Sequence, residues 1–101
     1  MFNQKHILVI DDDQKLSNLL KSYLNEQGYH VDLAENTAVA RDKMHSIIYD
    51  LLILDVMLPK ESGLVFAATL KRNDKIPILM LSAMGNTNDR IKGLKTGVDE
   101  Y

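Results

Sequence analysis

His6-Ile7-Leu8-Val9-Ile10-Asp11-Asp12-Asp13 is the stretch on which the fold turns. The apolar run before the acids is too short for a helix and shows no polar face. Runs of that kind suit a parallel strand covered on both sides. After the acids, Gln14 to Gln27 carries Leu16, Leu19, Leu20, Tyr23 and Leu24 at i, i+3, i+4, i+7 and i+8, one apolar stripe on a helix. Asp13 stands immediately before that helix as its cap, and Gly28 follows where a left-handed stop is wanted.

The same alternation continues outward. Val31 to Ala34 is a short strand with some polar alternation, suited to a sheet edge. Asn36 or Thr37 caps a second helix whose apolar positions are Ala40, Met44, Ile47 and Ile48. Leu51 to Leu54 is wholly apolar and is expected at the sheet centre. Pro59 and Gly63 punctuate a loop, Ser62 caps a third helix from Leu64 to about Arg72, and Pro77 introduces a fourth strand, Ile78 to Leu81. A short helix from Asp89 to Thr96, stopped by Gly97, closes the pattern. Four such units with right-handed crossovers predict an α/β fold, a doubly wound parallel sheet in the order 2-1-3-4. Sheets of this kind bind ligands beyond the carboxyl ends of their strands, at the switch point between strands one and three.

The 101 residues are one domain's worth of chain, read as a single domain over 1–101. Hydrophobic residues make up 46% and charged residues 26%, which excludes a disordered tail. No apolar run approaches the ~20 residues of a membrane span. Met1 to His6 lacks the apolar core of a secretory signal, so a cytoplasmic setting is expected. Twelve Lys and Arg against 14 Asp and Glu give a net charge of −2, the wrong balance for direct nucleic-acid binding. Without cysteine there is no disulfide, no thiolate chemistry and no sulfur ligand for zinc.

The chemistry gathers at the strand ends. Asp11, Asp12 and Asp13 follow strand one, Asp55 follows strand three and Ser82 follows strand four. Two carboxylates ~4 Å apart repel by about 4 kcal/mol at an effective dielectric of 20, so such a cluster raises a pKa or recruits a cation. An oxygen-only donor set favours a hard divalent ion such as Mg²⁺. A carboxylate beside such an ion suits phosphoryl transfer, with Asp55 as the oxygen nucleophile and Ser82 as a hydrogen-bond donor to the installed group. Taken singly, an aspartate between strand and helix is more often only a cap.

Ile7-Leu8-Val9-Ile10-Asp11-Asp12-Asp13, Leu52-Ile53-Leu54-Asp55-Val56-Met57-Leu58-Pro59, Met80-Leu81-Ser82-Ala83 and Gly97-Val98-Asp99-Glu100-Tyr101 resemble, in order and spacing, the receiver domain of two-component response regulators. The Asp-x-Met-Leu-Pro form and the final Gly-x-Asp-Glu-Tyr are most similar to its winged-helix transcription-factor subfamily, with Val98 where that subfamily usually has Ala. The resemblance implies a flavodoxin-like sheet. It implies Asp55 as phosphoacceptor, Asp12 as direct Mg²⁺ ligand, Asp11 acting mainly through water, and the Met57 backbone carbonyl completing the coordination. It further implies Ser82 as switch hydroxyl and Tyr101 as switch aromatic. Partners implied are a sensor histidine kinase that donates from phosphohistidine and an output domain of the full-length protein. Such a domain is a switch and no enzyme beyond its own phosphorylation and dephosphorylation.

In that family the chain goes on through the rest of a fifth strand, a lysine three residues on, and a fifth helix. The sequence ends at Tyr101, so a C-terminally incomplete fragment is expected, with the fifth strand and helix missing. Three carboxylate charges would then face two from Mg²⁺, and strand four would be an apolar edge inviting a homodimer or an element swap. Two other functions fit parts of the pattern. One is a phosphatase of the haloacid-dehalogenase class using Asp11-x-Asp13; the other is a receiver-like interaction module independent of phosphorylation. His6, His30 and His45 share no metal-like spacing and are read as surface or strand-end residues, and the methionines as core filling. Lys60 and Glu61 are the charges nearest Asp55 in the following loop.

Overall fold

The computed structural model describes residues 4–58, 61–73 and 76–81. Its elements alternate as β1 (His6–Ile10), α1 (Gln14–Glu26), β2 (His30–Ala34), α2 (Thr37–Ser46), β3 (Leu51–Asp55), α3 (Gly63–Asn73) and β4 (Ile78–Leu81). The four strands are parallel and lie in the order β2-β1-β3-β4, the doubly wound sheet that the alternation predicts and the flavodoxin-like one that the resemblance implies. Among the described strands, β1 and β3 are the inner ones and the most buried, while β2, which carries Asp32, and the wholly apolar β4 flank them.

Because side chains alternate along a strand, each strand feeds two layers. Leu8, Ile10, Leu52, Leu54, Ile78 and Met80 point to one face, where Ala40 of α2 and Phe66 and Ala67 of α3 cover them completely. Ile7, Val9, Val31 and Ile53 point to the other, against Leu20 and Leu24 of α1. This second layer is thinner among the described residues. The α1 stripe is accordingly only half used: Leu20 and Leu24 pack on the sheet, whereas Leu19 and Tyr23 remain 69% and 59% exposed and Leu16 is exposed at the helix start. The periodicity located the stripe correctly but overstated its burial.

The predicted punctuation holds. Asp13 is the N-cap of α1, accepting from the Leu16 N–H at 3.1 Å, and Gly28 adopts a φ of +97°, where a side chain would be strained. Asn36, of the two candidates, caps α2 through the Val39 N–H at 2.9 Å. Ser62 Oγ accepts from the Leu64 N–H at 3.1 Å at the start of α3. One reading needs correction. Ile48 lies beyond α2 and is exposed, while the next residue, Tyr49, is buried with its hydroxyl donating to Asp32 at 2.7 Å. Burial, with that bond and the Asp32 charge adding to it, pushes the phenol well above its usual pKa. His6 and His30 are strand-end residues, as read from the sequence. They are register partners on β1 and β2 with rings 4.7 Å apart, and His30 lies 3.3 Å from Asp32. Among the described residues, no helix is long and apolar enough to cross a membrane.

Candidate metal and phosphoryl site

The site follows from where the two inner strands stop. Asp11 is the residue after β1, and its N–H still donates to the Ala34 carbonyl at 3.0 Å, so the sheet holds its backbone in place. Asp55 is the last residue of β3, in register with Leu81 of β4. β1 and β3 are neighbours and point the same way, so both acids emerge at one rim. Asp12 joins them from the solvent side, where its side chain is exposed.

Three carboxylates converge there. One oxygen from each of Asp11, Asp12 and Asp55 lies within 4.8 Å of the others. Asp11 is 4% exposed and accepts from the Asp13 N–H at 2.9 Å; Asp55 is half-buried and accepts from the Met57 N–H at 3.1 Å. The acids open into a cleft of about 330 Å³ walled by Leu16, Leu20 and Leu81. Asp13 also borders it, but its carboxylate is engaged as the α1 cap, so Asp11-x-Asp13 does not offer two free acids. Met57 is in place in the loop after Asp55, with its side chain exposed. Ser82 and Tyr101 lie outside the described residues, as do Pro59, Lys60 and the segment 89–96.

Burial raises the pKa of Asp11, and the charges of Asp55, Asp12 and Asp13 push the same way; the bond from the Asp13 N–H opposes them. An acid with a raised native pKa holds its proton more tightly when folded. The stability it contributes is complete below its ordinary value of 3.8 and is lost as pH rises through the native pKa. Asp11→Asn is therefore expected to be more stable than wild type at pH 7 without divalent ions. The gap should close towards pH 3.8. Urea unfolding at both pH values checks it, and an equal gap at both would contradict this origin.

The donor set fits a hard cation: carboxylate oxygens only, already within a span that one ion can bridge, with Asp12 open to solvent for additional water ligands. Two contacts beside it have no counterpart in the sequence pattern. Gly63 presses on the site from the far end of the loop, where a Cβ would collide with the Asp55 carbonyl oxygen and stand 3.0 Å from the Val56 Cα. Arg41 of α2 reaches Glu61 in the same loop through a two-pronged ion pair. A helix arginine and a loop glutamate 20 positions apart carry no spacing signal.

Known proteins converge on one description. The sequence matches the response regulator receiver domain family over residues 7–101. The transcriptional regulatory protein CpxR of Escherichia coli K12 is 41% identical over 95 residues, covering 94% of this chain and 40% of CpxR. The receiver domain of the Francisella response regulator 1452 superposes with a TM-score of 0.90 at 32% identity, covering 97% of this chain and 82% of that one. A Burkholderia pseudomallei response regulator, whose structure contains a phosphorylated aspartic acid, a calcium ion and citrate, superposes at 0.87 with 27% identity. That match covers 97% of this chain and 58% of the other. The chain spans about two-fifths of the length of the curated relatives it matches.

Proposed function

This chain belongs to the response regulator receiver domain family, and from that premise we propose that it is a phosphoacceptor switch in which Asp55 receives the phosphoryl group. The observation carrying the proposal is the convergence of Asp11, Asp12 and Asp55 at the ends of β1 and β3. In this reading Asp11 and Asp12 form a Mg²⁺ site with Asp55 and the Met57 backbone carbonyl. Mg²⁺ bound there supplies positive charge against the oxygens of an incoming phosphoryl group.

The chain's own groups do the rest. The Met57 N–H holds Asp55 Oδ1 and so fixes the carboxylate plane, leaving Oδ2 as the nucleophile. Oδ2 bonds to phosphorus as the bond to the donor's imidazole nitrogen breaks, and the imidazole departs with the electron pair. Leu16, Leu20 and Leu81 form the apolar wall of the cleft beside the acyl phosphate. Ser82 is assigned as switch hydroxyl and Tyr101 as switch aromatic on their motifs alone. The donor in this reading is a sensor histidine kinase; the output, by likeness to CpxR, is transcriptional regulation, and the motif resemblance assigns it to the winged-helix subfamily. A receiver is a signalling domain, not a classical enzyme.

Intact mass after incubation with acetyl phosphate and Mg²⁺ tests it. Wild type is expected to gain one phosphoryl group, and Asp55→Asn none. A folded wild type that gains nothing would favour the interaction module that works without phosphorylation; labelling that survives in Asp55→Asn would move the acceptor elsewhere.

A further inference from the structure

Arg41 and Glu61 form the most tightly defined side-chain ion pair among the described residues. Arg41 Nη1 donates to Oε1 of Glu61 at 2.9 Å and Nη2 to Oε2 at 3.1 Å, a parallel fork that lysine cannot reproduce. The guanidinium also lies 4.8 Å over the ring of Phe66, a fully buried residue of α3. Arg41 is therefore held by α3 while it holds the loop. The fork keeps the Glu61 carboxyl below its usual pKa; burial opposes that, and a hydrogen bond from Thr37 on α2 adds to it.

The position of Glu61 gives the pair its meaning. It lies six residues after Asp55 and two before Gly63. The Gly63 N–H donates to the Val56 carbonyl at 3.0 Å, and its Cα rests so close to Asp55 that no side chain fits between them. Val56 in turn separates Asp55 from Met57, whose N–H orients the Asp55 carboxylate. The chain of contacts from Arg41 thus runs through Glu61 and Gly63 to the backbone of the acid itself. The loop charge beside the site is not free either, since Arg41 takes it up.

We propose that Arg41 is a positioning residue: by clamping Glu61 to α2 it holds Gly63 against the Asp55 main chain and so sets the affinity of the acid site for a divalent cation. The inference rests on reading Asp11, Asp12 and Asp55 as a metal site. Residues outside the direct ligands commonly govern affinity in this way, by about tenfold or more when removed.

Mn²⁺ alone, followed through water-proton relaxation with no phosphodonor present, reads the effect directly. Arg41→Gln is expected to raise the Mn²⁺ dissociation constant about tenfold, and Arg41→Lys, which keeps the charge but loses the fork, by roughly threefold. Glu61→Gln should follow Arg41→Gln and replaces it if that variant does not fold. A dissociation constant within about twofold of wild type in the folded variants would overturn the proposal. So would a lower stoichiometry at unchanged affinity, which is what simple loss of folded protein produces. Wild type that fails to bind Mn²⁺ at all would remove the metal-site reading itself, a different failure from an indifferent clamp.

Discussion

Gly63→Ala is expected to destabilise the protein by about 3 kcal/mol, the upper end of what overfilling a packed site costs. The added methyl would meet backbone: the Asp55 carbonyl oxygen, with the Asp55 carbonyl carbon at 2.9 Å and the Val56 Cα at 3.0 Å. A flexible side chain could swing aside from such an intruder. A strand end cannot, because the Val56 N–H is bonded to the Leu81 carbonyl at 3.0 Å and Asp55 is locked in register with β4. Relief must come from the loop, which breaks the bond from Gly63 to Val56 and shifts Asp55. The variant should therefore lose both stability in urea unfolding and Mn²⁺ affinity. Wild-type values for both would mean that the loop has slack the structure does not show.

Phe66→Ala is expected to cost about 3–5 kcal/mol, the range for deleting a fully buried aromatic ring. The ring is 0% exposed at the centre of the layer formed by α2, α3 and the sheet. Against a typical total of 5–15 kcal/mol, that leaves the fold close to its limit. A second cost is specific to this position, since the ring supports the Arg41 guanidinium. Phe66→Leu refills most of the volume without the aromatic face. It should recover most of the stability in thermal unfolding while leaving the Arg41–Glu61 pair less well held. Equal unfolding of Phe66→Ala and wild type would contradict the packing described here.

Both predictions depend on contacts that only the folded chain reveals, whereas the frame around them was legible in the residues. The apolar runs at Ile7–Ile10 and Leu51–Leu54 specify strands because each is covered on two faces, and Ile78–Leu81 because one face is buried and the other half-buried, demands that show directly in composition. Asp13 and Gly28 mark the ends of α1 because capping and left-handed backbone are local requirements. The convergence of Asp11, Asp12 and Asp55 was legible too, once strand order put two acid-bearing ends side by side. Other features depend on distance in space. The stack of His6 on His30 arises from β1–β2 register, and the Tyr49 hydroxyl finds Asp32 only after the sheet is assembled. The exposure of Leu19 and Tyr23 depends on what covers one sheet face, which a helical stripe cannot disclose.

The bond from Val56 to Leu81 carries a mechanical consequence. It yokes the peptide next to Asp55 to the outgoing end of β4, so the two strands act there as one lever. A displacement of the Asp55 backbone would therefore reach Leu81 through that one hydrogen bond, across a single peptide's length.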